Sequence, residues 1–256
     1  MRLRIIGNSH VRALSAARQQ LGDELRTRFD DVEVLFVAPA RFERVPFSHV
    51  EGARVRLRLR ELTAGIEGPA DLTSLGADDV WGVCMGLHNL TLVREPFWDT
   101  HEPAHLASPE AAPVSAALMR EIILATQRHV FDFLTNLKRA GIPGFVVASP
   151  PLHRDHPAVS LRRPEVMLEV DRLAREEMRR FADEHDIGFV DHPPETVADD
   201  GFLREEWYAP DRPNGRPDTS HGNAAYGALM LRRAVALAED RFLEQPAGAP
   251  ATDRLG

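Results

Sequence analysis

Three short groups of side chains carry the chemistry open to this chain. The first is Gly7-Asn8-Ser9-His10, where a short apolar run, Leu3-Arg4-Ile5-Ile6, gives way to a helical pattern from Val11 to Leu21. A serine at that junction lies beside the unpaired backbone N–H groups of a helix start, which stabilise an anion. Its hydroxyl is a poor nucleophile until a base takes the proton; histidine does so near neutral pH, and a carboxylate fixes the ring. The second group, Asp218-Thr219-Ser220-His221, supplies both on one loop. A separation of three lets Asp218 meet one ring nitrogen of His221 and leaves the other for Ser9. An attacked carbonyl becomes an oxyanion and needs fixed donors. The Ser9 backbone N–H is one candidate. The Asn89 side chain, in the third group Gly86-Leu87-His88-Asn89, is the other. Each piece also has a plainer reading. Asn8 or Ser9 caps a helix, Asp218 caps a turn, His221 caps the last helix, and Asn89 is a loop residue tolerant of left-handed backbone. Their joint occurrence favours chemistry.

The elements that must position these groups follow from hydrophobic patterning. Short apolar runs at 3–6, 32–38, 80–85, 144–149 and 188–191 read as buried strands. Helical periodicity covers 11–21, 115–139, 165–184 and 222–243, with Gly141 and Pro143 closing the second helix. The order is β-α-β, an insertion, then β-α-β-α-β-α, which predicts a parallel sheet covered by helices on both faces. Ligands of such sheets bind at the carboxyl ends of strands, where Ser9, His88 and Asn89 fall. The insertion holds Arg54-Val55-Arg56-Leu57-Arg58-Leu59-Arg60, whose strict alternation suits a half-buried strand with a solvated arginine face. Residues 90–113, rich in Pro and His, read as an irregular substrate loop or lid. His101 and His105 lack the HExxH pattern, so no metal is expected.

Composition bounds the rest. With 256 residues and 43% hydrophobic content, one domain over 1–243 is expected, followed by a disordered Pro/Ala/Gly-rich tail, 244–256. A net charge of −8 argues against a nucleic-acid partner. No signal peptide or membrane span is visible, and the one cysteine, Cys84, permits a reducing compartment, so a cytoplasmic location is expected. No G-x-G-x-x-G or P-loop follows a predicted strand, and no cofactor is expected.

Taken together, the three groups resemble the motifs of the SGNH hydrolase superfamily, the GDSL-like esterases. The block His221-Gly222-Asn223-Ala224-Ala225-Tyr226-Gly227 is similar to the one that follows the catalytic histidine in bacterial members. The resemblance implies a three-layer α/β/α, flavodoxin-like fold with a five-stranded parallel sheet, and an insertion between strands two and three. It implies Ser9 as nucleophile, His221 as general base, Asp218 as its partner, and Asn89 beside the Ser9 N–H in the oxyanion hole. Asn8 departs from the common Asp, Asn89 lies three after Gly86, and the oxyanion glycine expected after strand two has no match in Ala38-Pro39-Ala40-Arg41.

The expected activity is serine-dependent hydrolysis of a small or carbohydrate-linked carboxylic ester, O-acetyl esters included, through an acyl-enzyme. Two alternatives stand beside it: a binding module on the same fold with little turnover, and an acyltransferase using the same serine. Expected substrate contacts are His10, His88, Trp98 and Arg154, the aromatics suiting a sugar ring. The partner would be a small-molecule or glycan ester, with neither nucleic acid nor membrane involved.

Overall fold

The computed structural model describes residues 1–58, 72–87 and 90–243. Ten strands are described: β1 Arg2–Gly7, β2 Val32–Phe36, β3 Ser48–Glu51, β4 Arg54–Leu57, β5 Ser74–Leu75, β6 Asp79–Cys84, β7 His101–Pro103, β8 Ala112–Val114, β9 Gly144–Val147 and β10 Gly188–Val190. The described helices are α1 Val11–Leu21, α2 Leu90–Val93, α3 Ala116–Arg139, α4 Pro157–Ser160, α5 Pro164–Glu184 and α6 Ala224–Phe242. The central sheet runs β10-β9-β6-β1-β2, all pairs parallel. The chain steps outward from β1 to β2 on one side and through β6, β9 and β10 on the other. The reversal of direction lies between β1 and β6, so a crevice opens at the carboxyl ends of those two strands. Every residue of β6 is buried; its run from Val80 on is apolar, as a sheet covered on both faces requires, and Asp79 at its start is ion-paired with Arg2 and Arg4. This is the three-layer α/β/α architecture.

The insertion is a small antiparallel sheet, β3-β4-β5. Along β4, Val55 and Leu57 are buried while Arg54 and Arg56 face outward, so the alternation is that of a half-buried strand. Arg56 pairs with Glu51 across the hairpin. The rest of the predicted run, 59–60, and the expected tail from 244 lie outside the described residues.

The stretch after β6 departs from expectation. Its composition predicts an irregular lid, but β7 and β8 pair in parallel within it. Leu92, Val93, Trp98 and Val114 pack with Val166, Met167, Val170 and Ala174 of α5 in a second apolar cluster. The prolines break helix without preventing burial, and period counting does not register a core of such short pieces. His101 stacks on Phe97 at 4.0 Å between ring centroids, and His105 pairs with Glu169 at 3.2 Å. The two histidines are thus separately engaged.

One packing contact matters most for the site. Helices α1 and α6 cross where Gly227 meets the backbone of α1. A Cβ on Gly227 would lie 2.1 Å from the Ala13 carbonyl oxygen, a backbone atom that cannot swing aside. Ser9 precedes α1 and His221 precedes α6, so this crossing sets the distance between them. Gly227→Ala is expected to cost about 1–3 kcal/mol by forcing the helices apart. Thermal unfolding checks this; an unchanged melting temperature would show that the crossing has slack.

Candidate active site

Gly7 ends β1 because no side chain fits there: a Cβ would sit 2.4 Å from the Cys84 carbonyl oxygen on the neighbouring strand. The chain then turns through Asn8 and Ser9. Asn8 is fully buried, and its Oδ1 accepts the His10 N–H at 3.0 Å. The first helical N–H groups, of Val11 and Arg12, go to the carbonyls of Asn8 and Ser9, both at 3.2 Å. The helix start is therefore capped without the Ser9 hydroxyl, and the helix has no side-chain cap from His10. Ser9 Oγ instead lies 2.8 Å from His221 Nε2. The Ser9 backbone N–H has no backbone acceptor among the described residues.

The His221 ring is held from two sides. Asp218 Oδ1 and Oδ2 each lie 2.9 Å from His221 Nδ1. Oδ1 also accepts the backbone N–H groups of Ser220, at 3.1 Å, and His221, at 3.3 Å. An aspartate that folds its own loop in this way arrives pre-aimed at the ring three residues on. Burial would raise the Asp218 carboxyl, but the His221 charge and ring N–H outweigh burial and hold it below the ordinary carboxylate range. It stays an anion at neutral pH. The His221 carbonyl accepts the Ala209 N–H at 3.0 Å, and the Asn223 N–H donates to the Trp207 carbonyl at 2.9 Å, which straps the loop to residues 207–209. Asn223, rather than His221, caps α6, its Oδ1 accepting the Tyr226 N–H at 2.9 Å.

The serine and histidine open on a cleft of about 1000 Å³, lined also by Arg12, Arg94, Arg212 and Asn223. Three expected substrate contacts do not line it. His10 is 4% exposed and its ring packs on that of His221, centroids 4.8 Å apart. It backs the His221 ring, because the N-cap position of α1 turns its side chain inward. Trp98 is 3% exposed, and its indole N–H donates to the Leu92 carbonyl at 2.9 Å; it belongs to the second core. Arg154 is exposed, ion-paired with Asp200 and set 4.9 Å over the Phe202 ring. His88 and Asn89 lie outside the described residues, and with them the expected side-chain donor of the oxyanion hole. Of Trp207 and Tyr208, the latter stacks on buried His153 at 4.1 Å, and burial pushes the His153 ring down to about 4, keeping it neutral.

One residue beneath the site escapes any motif. Glu43 follows β2, in the single turn Ala40–Arg44. Its Oε1 accepts from Asn8 Nδ2 at 2.7 Å and its Oε2 from the Gly86 N–H at 3.0 Å. One carboxylate thus ties the turn after β1 to the turn after β6, the two ends of the crevice. Gly86 has φ +80°, a left-handed backbone, and a Cβ there would meet Val130 at 2.8 Å. Burial pushes the Glu43 carboxyl from 4.5 up to about 7, in spite of its two donors. Its only sequence signal is the negative one, the missing glycine after strand two.

This clamp predicts a reciprocal rescue. Asn8→Asp alone sets two carboxylates face to face, and Glu43→Gln alone sets an amide N–H against a donor, so each single change is expected to lower turnover. In the double variant Asn8→Asp/Glu43→Gln the amide introduced at position 43 donates to the carboxylate introduced at position 8. Its oxygen accepts from Gly86, and turnover is expected to recover. A raised carboxyl favours the folded state only while protonated: its contribution is full below 4.5 and is lost as pH rises through about 7. Glu43→Gln alone lacks this loss, so its melting temperature should gain on the parent's as pH rises between those values. A double variant no better than the worse single one would contradict the clamp.

No protein-family model and no curated protein matches the chain. Among solved structures it is similar to a GDSL-like lipase from Bacteroides thetaiotaomicron, with a TM-score of 0.48 and 11% identity over 93% of this chain and 88% of that one. It is also similar to a carbohydrate acetylesterase family member from Sinorhizobium meliloti, with a TM-score of 0.46 and 14% identity over 94% of this chain and 98% of that one. Identities this low carry no residue roles across, so the chemistry must be read from the site's own geometry.

Proposed function

We propose that this chain is a serine esterase of the SGNH type, which cleaves carboxylic esters through an acyl-enzyme. The observation that carries the reading is the unbroken hydrogen-bonded chain from Ser9 Oγ through His221 to Asp218, at 2.8 Å and 2.9 Å, with the serine open to a cleft. His221 Nε2 takes the Ser9 proton as Oγ attacks the ester carbonyl. The charge moves to the carbonyl oxygen, which the Ser9 backbone N–H meets at the start of α1; Asn89 is proposed as the second donor. The tetrahedral intermediate collapses, the alcohol leaves with the proton from His221, and the acyl group stays on Oγ. Water then attacks the acyl-enzyme with His221 again as base, releasing the acid and restoring the serine. Asp218 holds the ring in the tautomer that leaves Nε2 free and stabilises the imidazolium in each half-reaction.

The narrower expectation of a sugar ester rests on aromatics in the loop after β6. Trp98 is in the core, and Phe97 stacks on His101, so that support is absent from the cleft wall. The proposal is therefore esterase activity, without a commitment to sugars.

Three measurements test it. Ser9→Ala should abolish hydrolysis of a short p-nitrophenyl ester while circular dichroism and melting temperature stay those of the parent. Asp218→Asn should leave the fold intact and lower kcat by about 10³–10⁴-fold. A fluorophosphonate probe should label Ser9 in the parent and leave Ser9→Ala unlabelled. Parent protein that neither turns over esters nor takes the label would favour a binding module on the same fold.

A further inference from the structure

The cleft around Ser9 has an unusual charge lining for so acidic a chain. The protein as a whole carries −8. Yet the wall beside the serine presents three guanidiniums, Arg12, Arg94 and Arg212, against two carboxylates, Asp211 and Asp218. Asp218 has both oxygens on His221 Nδ1 and only a long contact to Arg212 Nε, 3.6 Å. Arg94 has no carboxylate within 4.0 Å among the described residues, although Arg44 and Arg162 nearby in the fold are paired, with Glu95 and Asp99. Arg12 lies with its guanidinium 5.1 Å from the Phe36 ring centroid, which fixes its stem and leaves its charge unneutralised.

Arg94 also lies against a buried neutral ring. Its Nη2 is 2.9 Å from Nε2 of His156, which is 1% exposed and whose Nδ1 accepts the Ala158 N–H at 3.0 Å to cap α4. Burial, with the Arg94 charge beside it, pushes His156 down to about 4 and keeps it neutral. Burial and the charge of nearby Arg212 both lower the Arg94 guanidinium, and Arg212 itself meets a carboxylate only at 3.6 Å, from Asp218. Like charges in a half-closed cleft repel unless a guest neutralises them. A guanidinium with no carboxylate on it has the fork geometry that takes a planar or tetrahedral oxyanion.

We propose that Arg94, with Arg212 beside it, forms an anion subsite of the Ser9 cleft, and that the substrate is an ester carrying a carboxylate or phosphate group away from the bond that is cut. The subsite rests on the esterase reading for its chemistry but on the arginines for its specificity. Arg12, also on the cleft wall, adds long-range attraction, which an acidic protein needs in order to collect an anionic substrate.

The test separates the subsite from the catalysis. Calorimetry on Ser9→Ala protein compares 4-hydroxybenzoate with its neutral isostere 4-hydroxybenzamide. Turnover by the parent compares 4-acetoxybenzoate with 4-acetoxybenzamide, and phenyl hemisuccinate with phenyl succinamate, so that the charge sits on the alcohol side or the acyl side. The anion is expected to bind about 10- to 100-fold more tightly than the amide, and at least one charged ester to show the same advantage in kcat/KM. Both ratios should fall towards one in Arg94→Gln and in Arg212→Gln, and should shrink with added salt. Equal binding of benzoate and benzamide, or ratios untouched by both substitutions, would overturn the subsite. Anion binding without turnover or fluorophosphonate labelling would instead keep the subsite and sink the esterase.

Discussion

The site depends on a crossing of two helices so close that only a glycine fits. Gly227 of α6 meets the Ala13 backbone of α1, and no side chain separates them. Each helix begins where the site needs one of its ends, Ser9 before α1 and His221 before α6. A strand-ending turn fixes the serine from below, and a bridge from residues 207–209 fixes the histidine loop from the side. Without the close crossing, a 2.8 Å link between residues 212 positions apart would have to be held by loops alone. The sheet and its buried strands give those helices a rigid floor, so precision in the site derives from burial far larger than the site itself.

A second constraint works at right angles to the first. Glu43 joins the turns after β1 and β6, and so sets the width of the crevice beside Ser9. A carboxylate in that place is costly, as its raised titration shows. No neutral side chain offers two separate acceptor atoms to two facing donors, which gives a physical reason for its charge. The pairing of Asn8 with Glu43 also gives Asn8 a role that an aspartate could not fill opposite the same carboxylate.

Much of this is legible in the sequence. Short apolar strands and periodic helices give the layer order because a parallel sheet must be buried on both faces. Ser9, Asp218 and His221 are legible because their chemistry is local: an Asx turn aims Asp218 at His221 within four residues. What the sequence misleads on depends on exposure. Trp98 and His10 sit in polar stretches yet are buried, since their neighbours in space come from α5 and from the His221 loop. Arg154 reads as directed at the site, but Asp200 and Phe202, distant in sequence, hold it outside the cleft lining.

The sequence by itself thus determined the kind of fold and which side chains are chemically able to act. Both follow from residue type and local spacing. Only the tertiary structure decided which of them meet, that Glu43 clamps the crevice, and that Arg94 and Arg212 line the serine's cleft. Those facts depend on distances between residues far apart in the chain, set by a helix crossing and a sheet order that no local pattern contains.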